Sequence, residues 1–412
     1  MRRLRIAATG VVCFAAVLPA ASCGAGERAT AGPVVRDSAG VRIVESRAAR
    51  WTKGQGWTVA AEPAVDIGVV EGAPEYQLSN VQTAIRLPDG RIVVADGGSA
   101  ELRFYDAGGK HLLSAGGKGR GPGEFQRFSG LLLAGRDSLF VFDAAEGRLS
   151  FFSTEGNFLG SPRLQPTEDP IYPLFLYVLA GIMGSGDLLF VPDAYPSKFQ
   201  PKLTLYRDTV PNLLYGRDGV LKDTIGEFSG MDMYSLPMQG GPVWLGGKSR
   251  SDVYGDELYI TDGNRYEVRV YGRTGELRRI IRLPREPRPV TDADFEKHVI
   301  EPFLAGVDDP ARRAAIRKMF EEWPRADHMP WISNLIVDDL GYLWVEEYRS
   351  PREETLPATW SVFDPEGRWL GSVTLPARFK VKQIGEDFVL GIWEDEYDVQ
   401  HVRLYDLVRT PA

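Results

Sequence analysis

The run "LFVFD" at residues 139–143 recurs in altered form along most of the chain. Its relatives are "IVVAD" (92–96), "LFVPD" (189–193), "LYITD" (258–262), "LWVEE" (343–347) and a degenerate copy, "FVLGI" (388–392). β-Branched and aromatic residues dominate these short runs, which is the pattern typical of strands. The repeat therefore predicts an all-β chain built from similar units.

A second pattern follows each run: an aromatic residue, three further residues and a glycine. The copies are "YDAGG" at Tyr105, "FSTEG" at Phe152, "YGRDG" at Tyr215, "YGRTG" at Tyr271, "FDPEG" at Phe363 and "YDLVR" at Tyr405, which lacks the glycine. Short turns precede and follow these strands, so each unit predicts four antiparallel strands joined by hairpins. Six such units, packed radially, predict a six-bladed β-propeller. The last unit lacks a fourth strand, which the segment at residues 57–68 is expected to supply.

The motifs "GKGRGPGEF", "LFVFD" and "RLSFF" resemble those of NHL-repeat propellers, and specifically the six-bladed propeller lipoproteins of bacteria. The resemblance covers roughly residues 40–408. It implies the propeller fold but no particular activity, because this fold carries both binding proteins and enzymes.

The glycine-rich stretch "AGGKGRGPGEFQ" at residues 115–126 invites comparison with a phosphate-binding loop. A P-loop ends in Gly-Lys-Ser/Thr and opens a helix, whereas Lys118 is followed by Gly119 and then by a predicted strand. The related stretch "IGVVEGAPEYQ" at residues 67–77 lies at a similar distance before its own acidic run. We therefore interpret the stretch as a crossover between two blades.

The N-terminus has the layout of a secretory signal peptide, with a basic start and a short apolar run. Residues 1–22 are predicted to be the signal peptide. The small residues Ala20, Ala21 and Ser22 before Cys23 resemble a bacterial lipobox, which implies cleavage there and lipidation of Cys23. Gly24, rather than Asp, favours the outer membrane. The alternative is an ordinary signal-peptidase site with a free thiol.

Residues 23–39 are predicted to be the lipidated cysteine and a flexible tether, and residues 40–412 a single propeller domain. The only cysteines are Cys13 and Cys23, so the predicted mature chain has no pair for an internal disulfide. The net charge is −8 and no basic run stands out, so nucleic acid is not an expected partner.

Strand order places the loops after the second strands, and the blade crossovers, on one face of the predicted propeller. All the long loops lie there, so we expect the binding face there too. The largest insertion, at about residues 285–330, predicts two helices between blades four and five, one capped by Thr291. Its apolar residues Ile316, Met319, Phe320 and Trp323 are expected to pack on the propeller rather than contact a ligand.

The acids that end the repeated runs admit two interpretations. Asp96, Asp143, Asp193, Asp262 and Glu346 recur at one structural position. Either they form a ring that binds a cation, or each accepts hydrogen bonds from the backbone N–H groups of its own loop. Recurrence in nearly every unit favours the second interpretation.

The sequence predicts no cofactor, and it lacks the histidine-rich zinc centre of NHL-fold lyases. Its histidines are His111, His298, His328 and His401, and none forms a His-x-His or His-x-x-x-His pair. Calcium stays open, because related six-bladed lactonases use acids and asparagines around the axis. Asn80, Asn264 and Asn334 are the candidates for such a site.

The segment "WPRADHMPWISN" at residues 323–334 leaves the insertion and enters blade five. The ligand-binding candidates on the expected binding face are Arg325, Asp327, His328, Trp331, Glu347, Tyr348 and Arg349, with Arg120 as a further candidate. These aromatic and polar side chains suit a pocket that stacks on a sugar or an aromatic ligand. The same residues would equally serve to attach the insertion to the blade.

Two functional hypotheses follow. The first is an exported, membrane-anchored binding or scaffold module whose loop-rich face engages a glycan, a peptide or a protein. The alternative is an exported hydrolase or lyase with a divalent cation at the channel mouth. No catalytic constellation is evident in the sequence, which favours the first.

Overall fold

The structure is a computed structural model that describes residues 32–52, 54–167, 173–198, 200–321, 323–350, 353 and 355–410. The predicted signal peptide and the lipidation site at Cys23 lie outside the described residues. Antiparallel β-sheet makes up most of the regular structure in the described part. No helix there is both long enough and apolar enough to span a bilayer.

The N-terminal segment forms four short strands before the first repeat. They are β1 (Val34–Ser38), β2 (Val41–Glu45), β3 (Thr58–Val59) and β4 (Val65–Ile67). Ala39 and Gly40 join β1 to β2 with positive φ angles of 50° and 81°, as a tight hairpin turn requires. These strands do not form a sheet of their own but add to sheets made by later residues.

The first two complete sheets each have four antiparallel strands in sequential order. Sheet 1 contains β5 (Val81–Arg86), β6 (Ile92–Asp96), β7 (Glu101–Tyr105) and β8 (His111–Gly116). Sheet 2 contains β9 (Phe128–Ala134), β10 (Ser138–Asp143), β11 (Arg148–Ser153) and β12 (Phe158–Gly160). All five residues of β6 are buried, because neighbouring sheets cover both of its faces.

The glycine-rich stretch connects β8 to β9, as expected for a crossover. Gly116 has a φ of 90°, and a Cβ there would lie 2.7 Å from the ring of Phe125, so glycine is required. Arg148 donates hydrogen bonds to the carbonyls of Arg120 at 2.8 Å and of Glu124 at 2.7 Å. The loop therefore presents carbonyl oxygens to a cation, and not the row of N–H groups that cradles a phosphate.

Sheet 3 carries a small satellite sheet that the sequence does not predict. The strands of this region are β13 (Tyr177–Ile182), β14 (Leu188–Pro192), β15 (Thr204–Tyr206), β16 (Thr209–Tyr215), β17 (Leu221–Ser229), β18 (Met233–Ser235) and β19 (Gly240–Pro242). β13, β14, β16 and β17 form sheet 3, while β15, β18 and β19 pair with one another. The satellite arises because the long second-to-third loop contains β15, which pairs with residues beyond β17.

Sheet 4 is extended by the N-terminal hairpin. Its own strands are β20 (Arg250–Tyr254), β21 (Glu257–Thr261), β22 (Glu267–Gly272) and β23 (Leu277–Arg282). β2 pairs with β23 in parallel, so that Arg42 to Glu45 lie beside Arg279 to Arg282. Residues 34–38, predicted to belong to a flexible tether, instead form β1, because β2 anchors the hairpin to this sheet edge.

The predicted two-helix insertion lies between sheets 4 and 5. It contains β24 (Arg288–Pro289), α1 (Asp292–Phe295), a π-helical turn (Glu296–Ile300), α2 (Glu301–Leu304), α3 (Pro310–Glu321) and β25 (His328–Met329). Thr291 and Asp294 form a capping box at the start of α1. Phe320 is buried in a local core with Ile316 and Trp323 beside it. Met319, expected to pack there too, is 42% exposed, since it lies on the outer face of α3.

The last two sheets complete the repeat. Sheet 5 contains β26 (Ile332–Val337), β27 (Leu343–Glu347), β28 (Ala358–Phe363) and β29 (Trp369–Leu375). Sheet 6 contains β30 (Phe379–Ile384), β31 (Phe388–Glu394) and β32 (Gln400–Val408). β3 and β4, from the segment assigned to this sheet by its sequence, pair with β32 at the outer edge.

The six sheets pack face to face around their first strands. The contacts are β5 with β9, β9 with β13, β13 with β20, β20 with β26, β26 with β30, and β30 with β5. Apolar clusters fill the spaces between neighbouring sheets; the rings of Phe142 in sheet 2 and Phe190 in sheet 3, for example, lie 4.8 Å apart. The architecture is therefore all-β and propeller-like.

Candidate functional site

A cavity of about 1110 Å³ runs between the first strands, which we call the axial cavity. Residues of β5, β9, β13, β20, β26 and β30 all line it. Its middle is largely apolar, with Ile85, Leu131 and Val253 among its walls. Of the charged residues that line it, Arg86, Asp339, Glu386 and Asp387 lie near the end at which the first strands finish, and Asp193 and Lys382 lie toward the end at which they begin.

A second cavity of about 680 Å³ opens at that end, and we call it the mouth cavity. It shares Asp193 and Lys382 with the axial cavity, so the two spaces meet at these side chains. Sheets 3, 4, 5 and 6 contribute to it, whereas sheets 1 and 2 do not. Its basic side chains are Lys248, Arg250, Arg349, Arg378, Lys380 and Lys382. Its acidic side chains are Asp193, Glu346, Glu394 and Asp398.

Three ion pairs lie at the mouth cavity. Nζ of Lys248 lies 2.8 Å from Oδ1 of Asp193 and also donates to its carbonyl. Arg349 contacts Glu346 at 2.9 Å, and the third pair, between Lys380 and Glu394, also spans 2.9 Å. These pairs leave three cations in the cavity without a carboxylate partner among the described residues.

Those three cations are held in different ways. Arg250 donates through Nε to the carbonyl of Ser333 at 2.8 Å, and its terminal nitrogens make no hydrogen bond to a described residue. Arg378 donates to the carbonyl of Asp395. Within the described ranges, Nζ of Lys382 has no hydrogen-bond partner at all, although the side chain is only partly exposed.

Enclosure shifts the ionisation of this cluster. Burial lowers the pKa of Lys248. Burial and the positive charge of Lys380 lower the pKa of Lys382. The negative charge of Asp193 opposes the lowering in both lysines. Burial also opposes ionisation of Asp193, yet the positive charges of Lys248, Arg250 and Lys382 outweigh it and lower its pKa. The Asp193 carboxylate is 60% exposed, because it opens into the cavity although protein surrounds the site.

The sequence-predicted candidates separate into two places. Arg325, Asp327 and His328 line a different cavity, of about 500 Å³, beside the insertion and the satellite sheet. Arg325 pairs with Asp292 and lies 5.2 Å from the ring centre of Phe295, so it also ties the insertion together. The three side chains are exposed.

Trp331, Glu347 and Tyr348 attach strands to one another and do not line either cavity. The guanidinium of Arg288 lies 4.6 Å from the ring centre of Trp331. The N–H of Tyr348 donates to the Trp331 carbonyl at 2.9 Å, and burial raises the pKa of the Tyr348 hydroxyl to about 12. Glu347 accepts a hydrogen bond from Ser361 at 3.4 Å. The contact of Arg288 with Trp331 joins the insertion to the residue before β26, whereas the Glu347 contact lies within sheet 5.

Among the ligand-binding candidates, Arg349 is the one that lines the mouth cavity. Arg120 lies outside the cavities described here, 80% exposed, with Nε 2.7 Å from Glu146. The mouth residues that sequence reasoning missed carry a signal nevertheless. Lys248 and Arg250 alternate along "KSRSD", and Arg378, Lys380 and Lys382 alternate along "RFKVK". Residues two apart on a strand share a face, which makes this spacing a signal. In the structure Lys248 and Arg378 precede β20 and β30, and a β-bulge lies at Lys382.

The recurring acids fall into two groups, those that accept hydrogen bonds from the backbone and those that line the mouth cavity. Asp96 accepts a hydrogen bond from the N–H of Ser79 at 2.9 Å and, from its own loop, from that of Ser99 at 3.4 Å; Asp262 accepts from that of Asn264 at 2.9 Å. Asp143 accepts from four backbone N–H groups. The loop-capping interpretation therefore describes these three, while Asp193 and Glu346 pair with cations in the mouth cavity.

The residues considered for a metal are dispersed. Asn334 lines the mouth cavity, Asn264 donates to Asp232 at 3.0 Å in the cavity beside the insertion, and Asn80 lies at a turn with a φ of 53°. His298 is buried against Ser350, with Nδ1 and Oγ 2.7 Å apart. Across the described ranges, no three His, Cys, Asp or Glu side chains are placed to hold a metal ion together.

The chain is similar to several solved structures at low sequence identity. A member of the DUF4221 family from Bacteroides vulgatus is 10% identical, with 86% of this chain and 99% of that chain covered and a TM-score of 0.52. A protein described as exported, from Bacteroides fragilis, is 12% identical over 90% of this chain and 100% of that one, with a TM-score of 0.48. Virginiamycin B lyase from Staphylococcus aureus is 8% identical over 86% and 100%, with a TM-score of 0.42.

No protein-family model matches the sequence, and no curated protein matches it. At identities near one tenth, the likeness to the Bacteroides vulgatus protein is one of fold. The propeller-like architecture thus stands on the sheets of this chain and on that likeness.

Proposed function

We propose that this chain is an exported, lipid-anchored, six-bladed β-propeller that acts as a binding module through its loop-rich face. The ring is supported by the first strands, whose contacts run from β5 through the other sheets and return to β5. Pairing of β3 and β4 with the C-terminal β32 supports closure between the two ends of the chain.

The observation that carries the binding role is the mouth cavity. Four sheets contribute charged side chains to one enclosed space, on the face where the long loops gather. A volume of about 680 Å³ is in the range of cavities that hold small molecules or a peptide side chain. Convergence of side chains from separate sheets is the arrangement expected of a ligand site on a rigid scaffold.

A panel of oligosaccharides and peptides tests this role on the chain beginning at residue 24. We expect a ligand that binds wild type and loses affinity in Arg349→Ala, since Arg349 lines the mouth cavity. Arg120→Ala is the matched control, because Arg120 belongs to a crossover on the same face but outside the cavity. Binding that Arg120→Ala weakens and Arg349→Ala preserves would contradict the proposed location.

The same panel separates binding from catalysis. The alternative function is an exported hydrolase or lyase that uses a divalent cation at the channel mouth. A ligand that is recovered chemically unchanged supports the binding module. Turnover of the ligand that ceases on addition of a chelator would instead favour the enzyme.

The anchor is tested separately. We propose cleavage before Cys23 and lipid attachment to its thiol, with the outer membrane as destination. Metabolic labelling with a radioactive fatty acid is expected to mark the wild-type chain and not Cys23→Ala. Absence of label from both proteins would contradict the lipid anchor and would favour an ordinary signal-peptidase site.

A further inference from the structure

The mouth cavity contains more positive than negative charge, although the whole chain is acidic. Six basic side chains face four acidic ones, in a protein whose net charge is −8. Building on the proposed binding function, we propose that the mouth cavity takes a small ligand with two or more anionic groups, held by Lys248, Arg250 and Lys382. Carboxylates and phosphates share this chemistry.

The first argument is the unused donors. Lys382 has no hydrogen-bond partner among the described residues, and the terminal nitrogens of Arg250 have none there either. Enclosed cations without partners are costly, and folded proteins normally pair them. Lys380 and Lys382 both belong to β30, and both line the cavity. A ligand anion supplies the missing partner.

The second argument is the position of Asp193. Its carboxylate contacts Lys248 at 2.8 Å and lines the same cavity as Arg250 and Lys382, whose positive charges help to lower its pKa. The negative charge of this carboxylate offsets part of the positive electrostatic potential that would attract a ligand anion. Removing its charge is therefore expected to strengthen anion binding, whereas removing a cation is expected to weaken it.

The third argument is the setting of the charges. Ionic interactions gain strength in an enclosed site, where surrounding water screens them less than at an open surface. Lys248, just before β20, and Lys382, on β30, reach the cavity from different sheets, and the sheets set the spacing of their backbones. Two fixed cationic positions favour a ligand whose anionic groups lie on one small skeleton.

Citrate and pyrophosphate are suitable probes, titrated calorimetrically into the chain from residue 24 in a buffer free of carboxylate and phosphate. We expect Lys382→Gln to weaken binding at least about tenfold, and Asp193→Asn to strengthen it several-fold. Lys222→Gln is the matched control, because Lys222 lies on the outer strand β17 and pairs with Asp218. This variant should bind the probes as tightly as wild type does. Melting curves of each variant verify folding.

The comparison of the probes identifies the chemistry: tighter citrate binding assigns carboxylates, and tighter pyrophosphate binding assigns phosphates. Failure of both probes to bind, or equal affinity of wild type and Lys382→Gln, would overturn the inference. If anions fail while a neutral glycan or peptide binds in a manner that depends on Arg349, the binding module stands and only the anionic ligand is refuted. If nothing in either experiment binds, both proposals fail.

Discussion

The acid that ends the second strand has different surroundings in sheet 1 and in sheet 3. Asp96 is 1% exposed, contacts Arg103 at 3.1 Å and accepts hydrogen bonds from Ser79 and from Ser99 in the loop that follows it. Asp193 stands at the corresponding place in the repeat, yet it is 60% exposed and faces Lys248 across the mouth cavity. One repeated residue thus serves the fold in one sheet and lines a cavity in another.

The difference comes from the neighbouring segments. After Asp96 the chain turns at once through "GGS", which brings N–H and hydroxyl groups to the carboxylate. After Asp193 the long second-to-third loop leads away to β15 in the satellite sheet, and Lys248 approaches instead. Loop length, and not the acid itself, decides whether the carboxylate is consumed by local hydrogen bonds.

Replacing Asp96 is expected to have the largest effect on stability. Asp96→Ala leaves the Arg103 guanidinium, itself only 7% exposed, without its carboxylate partner. Loss of one partner of a buried pair costs about 3–5 kcal/mol. Urea denaturation should show this decrease in the free energy of unfolding. A decrease no larger than that in Asp193→Ala would contradict the structural role of Asp96.

Replacing Asp143 is expected to have an intermediate effect. Its two oxygens accept from the backbone N–H groups of Gln126, Arg127, Ala145 and Glu146. Asp143→Asn removes the charge and replaces one accepting oxygen with an NH2 group. At least one backbone N–H group then loses its acceptor, at a cost of about 1–3 kcal/mol. The midpoint of urea unfolding measures it, and an unchanged midpoint would show that the caps are dispensable.

Replacing Asp193 is expected to change stability little. Its ion pair with Lys248 opens into a cavity, and accessible pairs of this kind contribute about 0–1 kcal/mol. Asp193→Asn should therefore unfold within about 1 kcal/mol of wild type. A loss as large as that of Asp96→Ala would mean that the mouth carboxylate belongs to the fold after all.

A smaller, pH-dependent effect is expected at Asp252 on β20. Enclosure raises the pKa of its carboxyl from 3.8 to about 7, although the side chain keeps partial access to the axial cavity; hydrogen bonds from the N–H groups of Val337 and Val253 oppose this. Between these values the folded state retains a proton that the unfolded chain has released. Stability contributed by this group therefore falls as pH rises from about 4 to 7.

Asp252→Asn should remove that contribution while its side-chain oxygen still accepts from the backbone. The melting temperature of wild type, relative to the variant, is then expected to decline between pH 5 and pH 7.5. Parallel curves for the two proteins across this interval would show that Asp252 titrates near its ordinary pKa.

Much of the fold was predictable from the sequence because each strand unit repeats its own turn chemistry. The runs ending in Asp96 and Asp143 mark second strands, and the pattern at Tyr105 marks the next hairpin. The hairpin of β1 and β2 was missed, because its parallel pairing with β23 joins residues distant in sequence. The satellite sheet was missed for the same reason.

The site was less predictable than the fold. Reasoning from the non-repeated segment singled out Trp331 and Tyr348, which attach the insertion region to sheet 5. Lys248 and Lys382 belong to different sheets, and only the radial packing brings them to one cavity. Their alternating spacing was visible in the sequence, but spacing alone does not tell which face of a strand borders an open space.

The most direct test of the account compares two of the recurring acids in one binding measurement. Calorimetric affinities for citrate and pyrophosphate are measured for wild type, Asp193→Asn and Asp262→Asn, since Asp262 accepts hydrogen bonds from its own loop and does not line the mouth cavity. We predict several-fold tighter binding in Asp193→Asn and unchanged binding in Asp262→Asn. Weaker or unchanged binding in Asp193→Asn would contradict the assignment of the mouth cavity as an anion site.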